Sequence, residues 1–152
     1  MLRVCVTRFD NTSLNERELW KQTTNFNGTI YGTPTPINKT ILQNEQLIVL
    51  EMNNTINKII GIGLINNVIH IKKYKIYSHN NYNRYIYLSN KSIDTNIINT
   101  NDIFQKIEKI LFYGKNNYKR GQGIQELPIT AREIDNINVQ RMINNILKNY
   151  LI

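Results

Sequence analysis

The chain is poor in the residues that staple or anchor a protein. Of its 152 residues one is cysteine, Cys5, so no internal disulfide can form and a reducing compartment suits it. Two histidines, His70 and His79, together with that single thiol leave no soft ligand set for structural zinc. No apolar run approaches the roughly 20 residues of a membrane span, and the N-terminus carries no signal-like apolar core. No membrane partner is expected. Acidic side chains are also few, 11 against 19 lysines and arginines, and they form no DxD or ExxE pair for a catalytic metal. Neither a metal nor an organic cofactor is expected. What remains is one intracellular domain over 1–152, cytoplasmic or nuclear, with 41% hydrophobic residues to build its core.

The net charge of +8 is unevenly spread. Residues 1–65 hold 6 basic and 5 acidic side chains, net +1, while 66–152 hold 13 and 6, net +7. Such a lopsided field attracts polyanions, of which nucleic acid is the commonest. Asn and Ile supply 25 and 26 residues, and an AT-rich genome would inflate both, and lysine with them. The seven arginines are not explained that way, so Arg84, Arg120 and Arg132 carry more weight than the lysines.

Along the chain, RVCVTRF (3–9) reads as a strand. SLNERELWKQ (13–22) reads as a short surface helix with Ser13 and Glu16 as its capping box. GTIYGTPTPI (28–37) reads as a small strand that Pro34 and Pro36 confine to an edge or loop. EQLIVLEMNN (45–54) and NKIIGIGLINN (57–67) form a hairpin around an Asn-rich turn, with Glu51 and Lys58 as a cross-strand ion pair. Gly61 and Gly63 within its second strand imply a bulge or a close backbone approach.

Two further strands are expected at 68–77 and 82–90. A helix is expected over 101–114, capped by Thr100 or Asn101 and closed by Gly114. A last helix covers 130–152, with Thr130 and Glu133 as its box and Ile134, Ile137, Ile143, Ile146, Leu147 and Tyr150 as its packing face. Strands cluster in the middle and alternating βαβ units are missing, which excludes a Rossmann-like nucleotide fold. The expected fold is α+β, a small curved sheet or barrel of about five to six strands flanked by three helices.

Enzyme motifs are scarce. YGKNNYKRGQGIQELP (113–128) has glycines and cations but no GK[ST], and a helix stands before it where a P-loop needs a strand, so it is no phosphate-binding P-loop. Its Gly121 and Gly123 serve equally a tight connection or the close approach of a sugar-phosphate chain beside Lys115, Lys119 and Arg120. Cys5 lacks a histidine partner and reads as buried packing, and His70 reads as exposed on its strand.

KKYKIYSHNNYNRYIYLSN (72–90) is richer. Lys72, Lys73, Lys75 and Arg84 alternate with Tyr74, Tyr77, Tyr82, Tyr85 and Tyr87, and cations track phosphates while aromatic faces stack unpaired bases. Half-buried strand tyrosines and edge lysines would give the same pattern. Trp20, the sole tryptophan, and Tyr31 read as a second aromatic pair able to hold a flat base by stacking and cation–π attraction.

Residues 20–67, WKQTTNFNGTIYGTPTPINKTILQNEQLIVLEMNNTINKIIGIGLINN, resemble the PUA-like superfamily, especially its EVE and YTH branches. The likeness lies in the aromatic opening, Ile30–Pro34, the strand Asn44–Glu51 and the glycine-marked strand Gly61–Ile65. The turn reads Asn44-Glu45 where the family has Gly-Asp, and the further tryptophans of a YTH cage are missing. With VLEMNN, GIGLI and KRGQGI, the chain is also similar to proteins of large AT-rich DNA viruses, which would place it in an infected host cell.

The resemblance implies a PUA-like barrel that binds nucleic acid, RNA before DNA, gripping a modified nucleotide or cap in an aromatic pocket. By position, Trp20 and Tyr31 would be pocket walls and Asn53 would line it; Tyr85 joins them from the tyrosine-rich tract. Lys72, Lys73, Lys75, Arg84, Lys115, Lys119 and Arg120 would meet the backbone. Two alternatives stand beside this. One is an ASCH-type hydrolase of modified nucleosides using Lys21, Thr24 and Glu51. The other is a protein-binding module of a viral or translation assembly that docks through the terminal helix.

Overall fold

The structure, a computed structural model, describes residues 3–127 and 136–152, apart from the side chains at 136–138 and 140. Arg132 and the Thr130–Glu133 box lie outside the described residues, as do Ile134 and the side chain of Ile137.

The fold is α+β with six strands in two sheets. β1 (Arg3–Phe9), β3 (Gln46–Asn53), β4 (Lys58–Asn66) and the short β6 (Gln125–Glu126) form a sheet in the order β4-β3-β1-β6. β2 (Thr29–Thr33) and β5 (Tyr85–Ser89) pair antiparallel as a second, two-stranded sheet. Among the described residues no closed barrel forms. β1 and β3 run parallel, Val6 opposite Leu50, so the connection through α1 (Asn11–Thr24) and β2 is a crossover that the sequence had not led us to expect.

Both faces of the larger sheet are covered, which is why LIVLEM (47–52) is buried throughout and not alternating. Val4, Val6, Ile48, Leu50 and Leu64 point to one side. There they meet the apolar stripe of α3 (Ile103–Phe112), with Phe104, Ile107 and Leu111. Val139, Met142, Ile143 and Ile146 complete this layer, from α4 (Asn136–Asn145) and the π-helical turn Ile146–Tyr150. Cys5, Phe9, Leu47, Val49 and Ile65 point to the other side, against Ile30, Tyr31, Ile86 and Tyr87 of the small sheet. Each fully buried aliphatic side chain contributes about 1.5–3 kcal/mol, so the sheet is clamped from two sides. Cys5 is fully buried, and its thiol is pushed up to about 12 by that burial, which leaves it inert packing.

Several expectations change. The 68–77 segment is irregular and no strand, and 80–83 is a 3-10 turn, so the second tyrosine strand shrinks to Tyr85–Ser89. α1 begins two residues early: Asp10 is its cap, accepting Ser13 N–H at 2.8 Å, while Ser13 Oγ accepts Asp10 N–H at 3.1 Å. Only Arg17 of α1 is buried, in keeping with a surface helix. The helix expected over 101–114 is α3, and a short helix that was not expected, α2 (Asn96–Thr100), precedes it. Asn101 Oδ1 accepts Ile103 N–H at 3.1 Å, and Gly114 takes the left-handed backbone with φ of 83°. Glu51 does not pair with Lys58. It sits opposite Gly61, and Lys58 lies 3.8 Å from Glu108. The expected bulge is there, a register shift between Glu51 and Met52 that leaves Ile60 as the extra residue.

Candidate nucleic-acid interface

Beneath α1 lies a buried polar triad. Glu51 is 6% exposed and Arg17 6%. Arg17 Nη2 donates to Glu51 Oε1 at 2.7 Å, and Tyr31 Oη donates to Glu51 Oε2 at 2.6 Å. The Arg17 guanidinium also stands 4.5 Å from the centroid of the Phe9 ring. Burial alone would lower the pKa of Arg17, but the charge of Glu51 and its hydrogen bond outweigh that and raise it. The glycines of β4 make the room. A Cβ at Gly61 would strike the Glu51 carboxylate, and one at Gly63 would overlap the Tyr31 hydroxyl. Close approach is therefore the reason for both.

Tyr31 is the floor of a cavity of about 390 Å³, a size suited to a small ligand. Three parts of the chain build its walls. The end of β1 brings Thr7, Arg8 and Phe9, and the start of α1 brings Asp10, Thr12, Ser13 and Glu16. The turn 77–82 brings Tyr77, Ser78, His79 and Tyr82, with Asn54 and Gly123 closing the far side.

That turn is held by buried Asn83, whose Oδ1 accepts from Ile76 N and Tyr77 N at 3.0 and 2.9 Å while its Nδ2 donates to Tyr77 O at 2.8 Å. Glu16 Oε2 fastens the turn to α1 by accepting Ser78 N–H at 2.8 Å. The His79 and Tyr77 rings each meet Tyr82 edge to face, at 5.4 and 6.4 Å between centroids.

Arg8 joins the two cationic segments across the mouth. Its Nε donates to Gly121 O in the 113–124 loop, and its Nη2 donates to Tyr82 Oη at 3.3 Å. Asn54 Nδ2 donates to Lys119 O at 2.9 Å and fixes the same loop. The KRGQG loop is thus a tight connection, with Gly123 at φ of 72°, and it reaches the cavity through Gly123. Lys72, Lys73, Lys75, Arg84, Lys115 and Arg120 are exposed and Lys119 half-buried. None of these seven pairs with a carboxylate among the described residues.

The expected aromatic pocket is redistributed. Tyr31 lines the cavity, but it is 1% exposed and its hydroxyl is taken, so it supports the floor and offers no stacking face. Trp20 is half-buried on the outer side, 5.9 Å from Phe26 and 5.2 Å from Tyr74, which in turn stacks on a half-buried His70 at 5.6 Å. Trp20 does not line the cavity. Asn53 is buried, its Nδ2 donating to Asn11 Oδ1 at 3.0 Å and its Oδ1 accepting Thr55 N–H at 3.0 Å, so it shapes the β3–β4 turn. Tyr85 lies under the Arg84 guanidinium at 5.5 Å, away from the cavity lining.

Sequence reading finds Tyr77 and Tyr82 only as members of the tyrosine-rich tract, and it does not find Arg8, Glu16 or Thr7. Lys21 and Glu51 line a second cleft behind the triad, but Thr24 does not, its hydroxyl donating to Trp20 O at 2.7 Å. The apolar face of the terminal helix is spent on the core through Val139, Met142, Ile143 and Ile146.

Burial raises the pKa of Tyr31 and Tyr77 above the usual phenol value near 10. Folded, the two hold their protons; unfolded, they release them near 10. Stability is therefore unaffected below about pH 10 and falls above it. An alkaline titration followed by phenolate absorbance should show at least two of the nine tyrosines ionising only together with loss of the fold. If all nine ionise reversibly with the fold intact, the triad is open to solvent.

No helix among the described residues is long and apolar enough to cross a membrane. Comparison with protein-family models, with curated proteins and with solved structures returned no match.

Proposed function

We propose that this chain binds single-stranded nucleic acid, RNA in the first instance, taking one base into the cavity between β1, α1 and the 77–82 turn. The observation that carries the reading is Arg8, which draws two basic segments to the mouth of one aromatic-walled cavity. Lysines and arginines on those segments place the phosphates, while Tyr82 and His79 present ring surface to the base. Trp20, Tyr74 and His70 form a neighbouring half-buried aromatic platform beside Lys72, Lys73 and Lys75, on which a second base of the strand can stack. In this reading the two sheets are an open form of the PUA-like barrel that residues 20–67 resemble. The modified nucleotide or cap that the resemblance implies would enter the same cavity.

Fluorescence anisotropy with labelled single-stranded RNA, single-stranded DNA and duplex tests it. If about four phosphates are contacted, raising salt from about 50 to 200 mM should weaken single-strand binding on the order of 50-fold through counterion release. Binding that is absent at low salt, or indifferent to salt, defeats the proposal.

A further inference from the structure

The cavity contains something that phosphate binding alone would not call for: carboxylates. Asp10 is committed to capping α1, and its carboxyl is held below the usual range chiefly by the Ser13 N–H. Glu16 is not fully committed. Its Oε2 accepts from Ser78, and Oε1 has no partner among the described residues.

A second polar group waits nearby. Thr7 is only 7% exposed and its hydroxyl makes no hydrogen bond among the described residues. Strand alternation puts Thr7 on the same side of β1 as Cys5 and Phe9, the side that faces the cavity. The Thr7 hydroxyl oxygen is not sealed from solvent, so from the cavity lining it can donate to or accept from a bound ligand atom.

We infer that, granted the nucleobase reading above, the cavity selects guanine, whose edge is read by Glu16 with Thr7 as the supporting contact. An ionised carboxylate only accepts hydrogen bonds. Guanine alone among the four bases sets two adjacent donors, N1–H and the 2-amino group, on its pairing edge, and two parallel bonds to a carboxylate follow from that geometry. Adenine and cytosine set a ring nitrogen lone pair beside their single amino group, and uracil flanks its one N–H with carbonyls. Each of these would oppose lone pair to lone pair at Glu16. Each carboxylate oxygen has two acceptor sites, so the bond to Ser78 does not block the guanine edge. Arg8 remains at the mouth, where it meets the phosphate that follows the base.

The test uses short oligouridine strands with one central guanine, inosine, adenine or cytosine, titrated against the full chain by anisotropy. The guanine strand should bind on the order of 10- to 100-fold tighter than the adenine strand, with inosine, which lacks the amino group, between them. Free GMP as competitor should be weaker than the guanine strand, because it lacks the flanking phosphates; equal or tighter GMP binding overturns a strand-borne source. Glu16→Gln keeps an oxygen for Ser78 but turns an amide N–H₂ towards the guanine donors. It should bring guanine and adenine strands within about twofold of each other, while the salt dependence of binding stays. Equal affinity for all four central bases in the unaltered chain overturns the inference and leaves nucleic-acid binding intact, as does an undiminished guanine preference in Glu16→Gln. Failure to bind any strand at low salt overturns nucleic-acid binding itself, and this inference with it.

Discussion

Arg17→Met should lower the free energy of unfolding by about 3–5 kcal/mol, because it strands the Glu51 carboxylate in the interior. Arg17 and Glu51 are each 6% exposed, and the remaining contact of Glu51, the Tyr31 hydroxyl, donates one hydrogen bond but no charge. Glu18 also reaches Arg17, at 3.1 Å, but its own side chain is 48% exposed, so losing that contact adds little. The discriminating variant is the pair Arg17→Met with Glu51→Leu, which removes both charges and leaves apolar groups of similar volume. Urea unfolding of the four proteins forms a double-mutant cycle, and the double variant should be far closer to the parent than the sum of the singles. A cost for Arg17→Met below about 1 kcal/mol would mean that water from the second cleft already serves Glu51, and that the triad is not a dry one.

What could be read from the chain in advance follows how local each feature is. The β3–β4 hairpin needs only a continuous apolar run, an Asn-rich turn and a second run, so its ends come out within a residue or two. The stripe Ile103, Phe104, Ile107, Leu111 is likewise self-contained and gives α3. VIHIKKYKIY misleads because apolar residues and lysines give it the look of an amphipathic strand, yet a strand also needs a neighbour. β5 is taken by β2, only His70 N–H reaches it, at Ile86 O, and Ile71 is left 97% exposed.

The α1 cap is a contest between two equally spaced boxes. Phe9 O is already bonded by Asn54 N–H at 2.7 Å, so the chain leaves the sheet at once and Asp10 is the first residue free to cap. That choice releases Glu16, which the other box would have used, to hold Ser78 and line the cavity.

The site itself was less legible, for a physical reason. Arg17 meets Glu51 across 34 residues, and Glu51 meets Tyr31 across 20. Nothing in the period of a polar helix marks one of its arginines as buried. The cations were legible because exposure needs no partner: Lys72, Lys73, Lys75, Arg84, Lys115 and Arg120 are exposed as expected. Arg8 was not legible, since its importance comes from the two loops it ties, at Gly121 and Tyr82. Trp20 drew notice as the lone indole, but the groups that line the cavity lie around the cap of its helix and not around its end.

Gly63→Ala should cost about 3–4 kcal/mol, whereas the same change at an ordinary strand glycine gains roughly 0.5–1 kcal/mol. Gly63 sits opposite Val49, and a methyl group there overlaps the Tyr31 hydroxyl and ring and crowds Thr29 Cγ2. Tyr31 cannot yield cheaply, because it is 1% exposed and its hydroxyl is fixed on Glu51. Overpacking contributes about 1–3 kcal/mol, and a Glu51 oxygen left without its donor adds about 1–3 kcal/mol. Gly114→Ala marks the contrast: nothing lies within 4 Å there, so only the positive φ opposes it and about 1 kcal/mol is expected. Tyr31→Phe removes the overlapping oxygen, so Gly63→Ala made in that background should cost less than in the parent, Thr29 Cγ2 and the ring carbon Cζ accounting for what remains. Urea midpoints of the four proteins measure the coupling. If the two changes are simply additive, the tyrosine hydroxyl does not occupy the space that Gly63 leaves, and the floor of the cavity is built some other way.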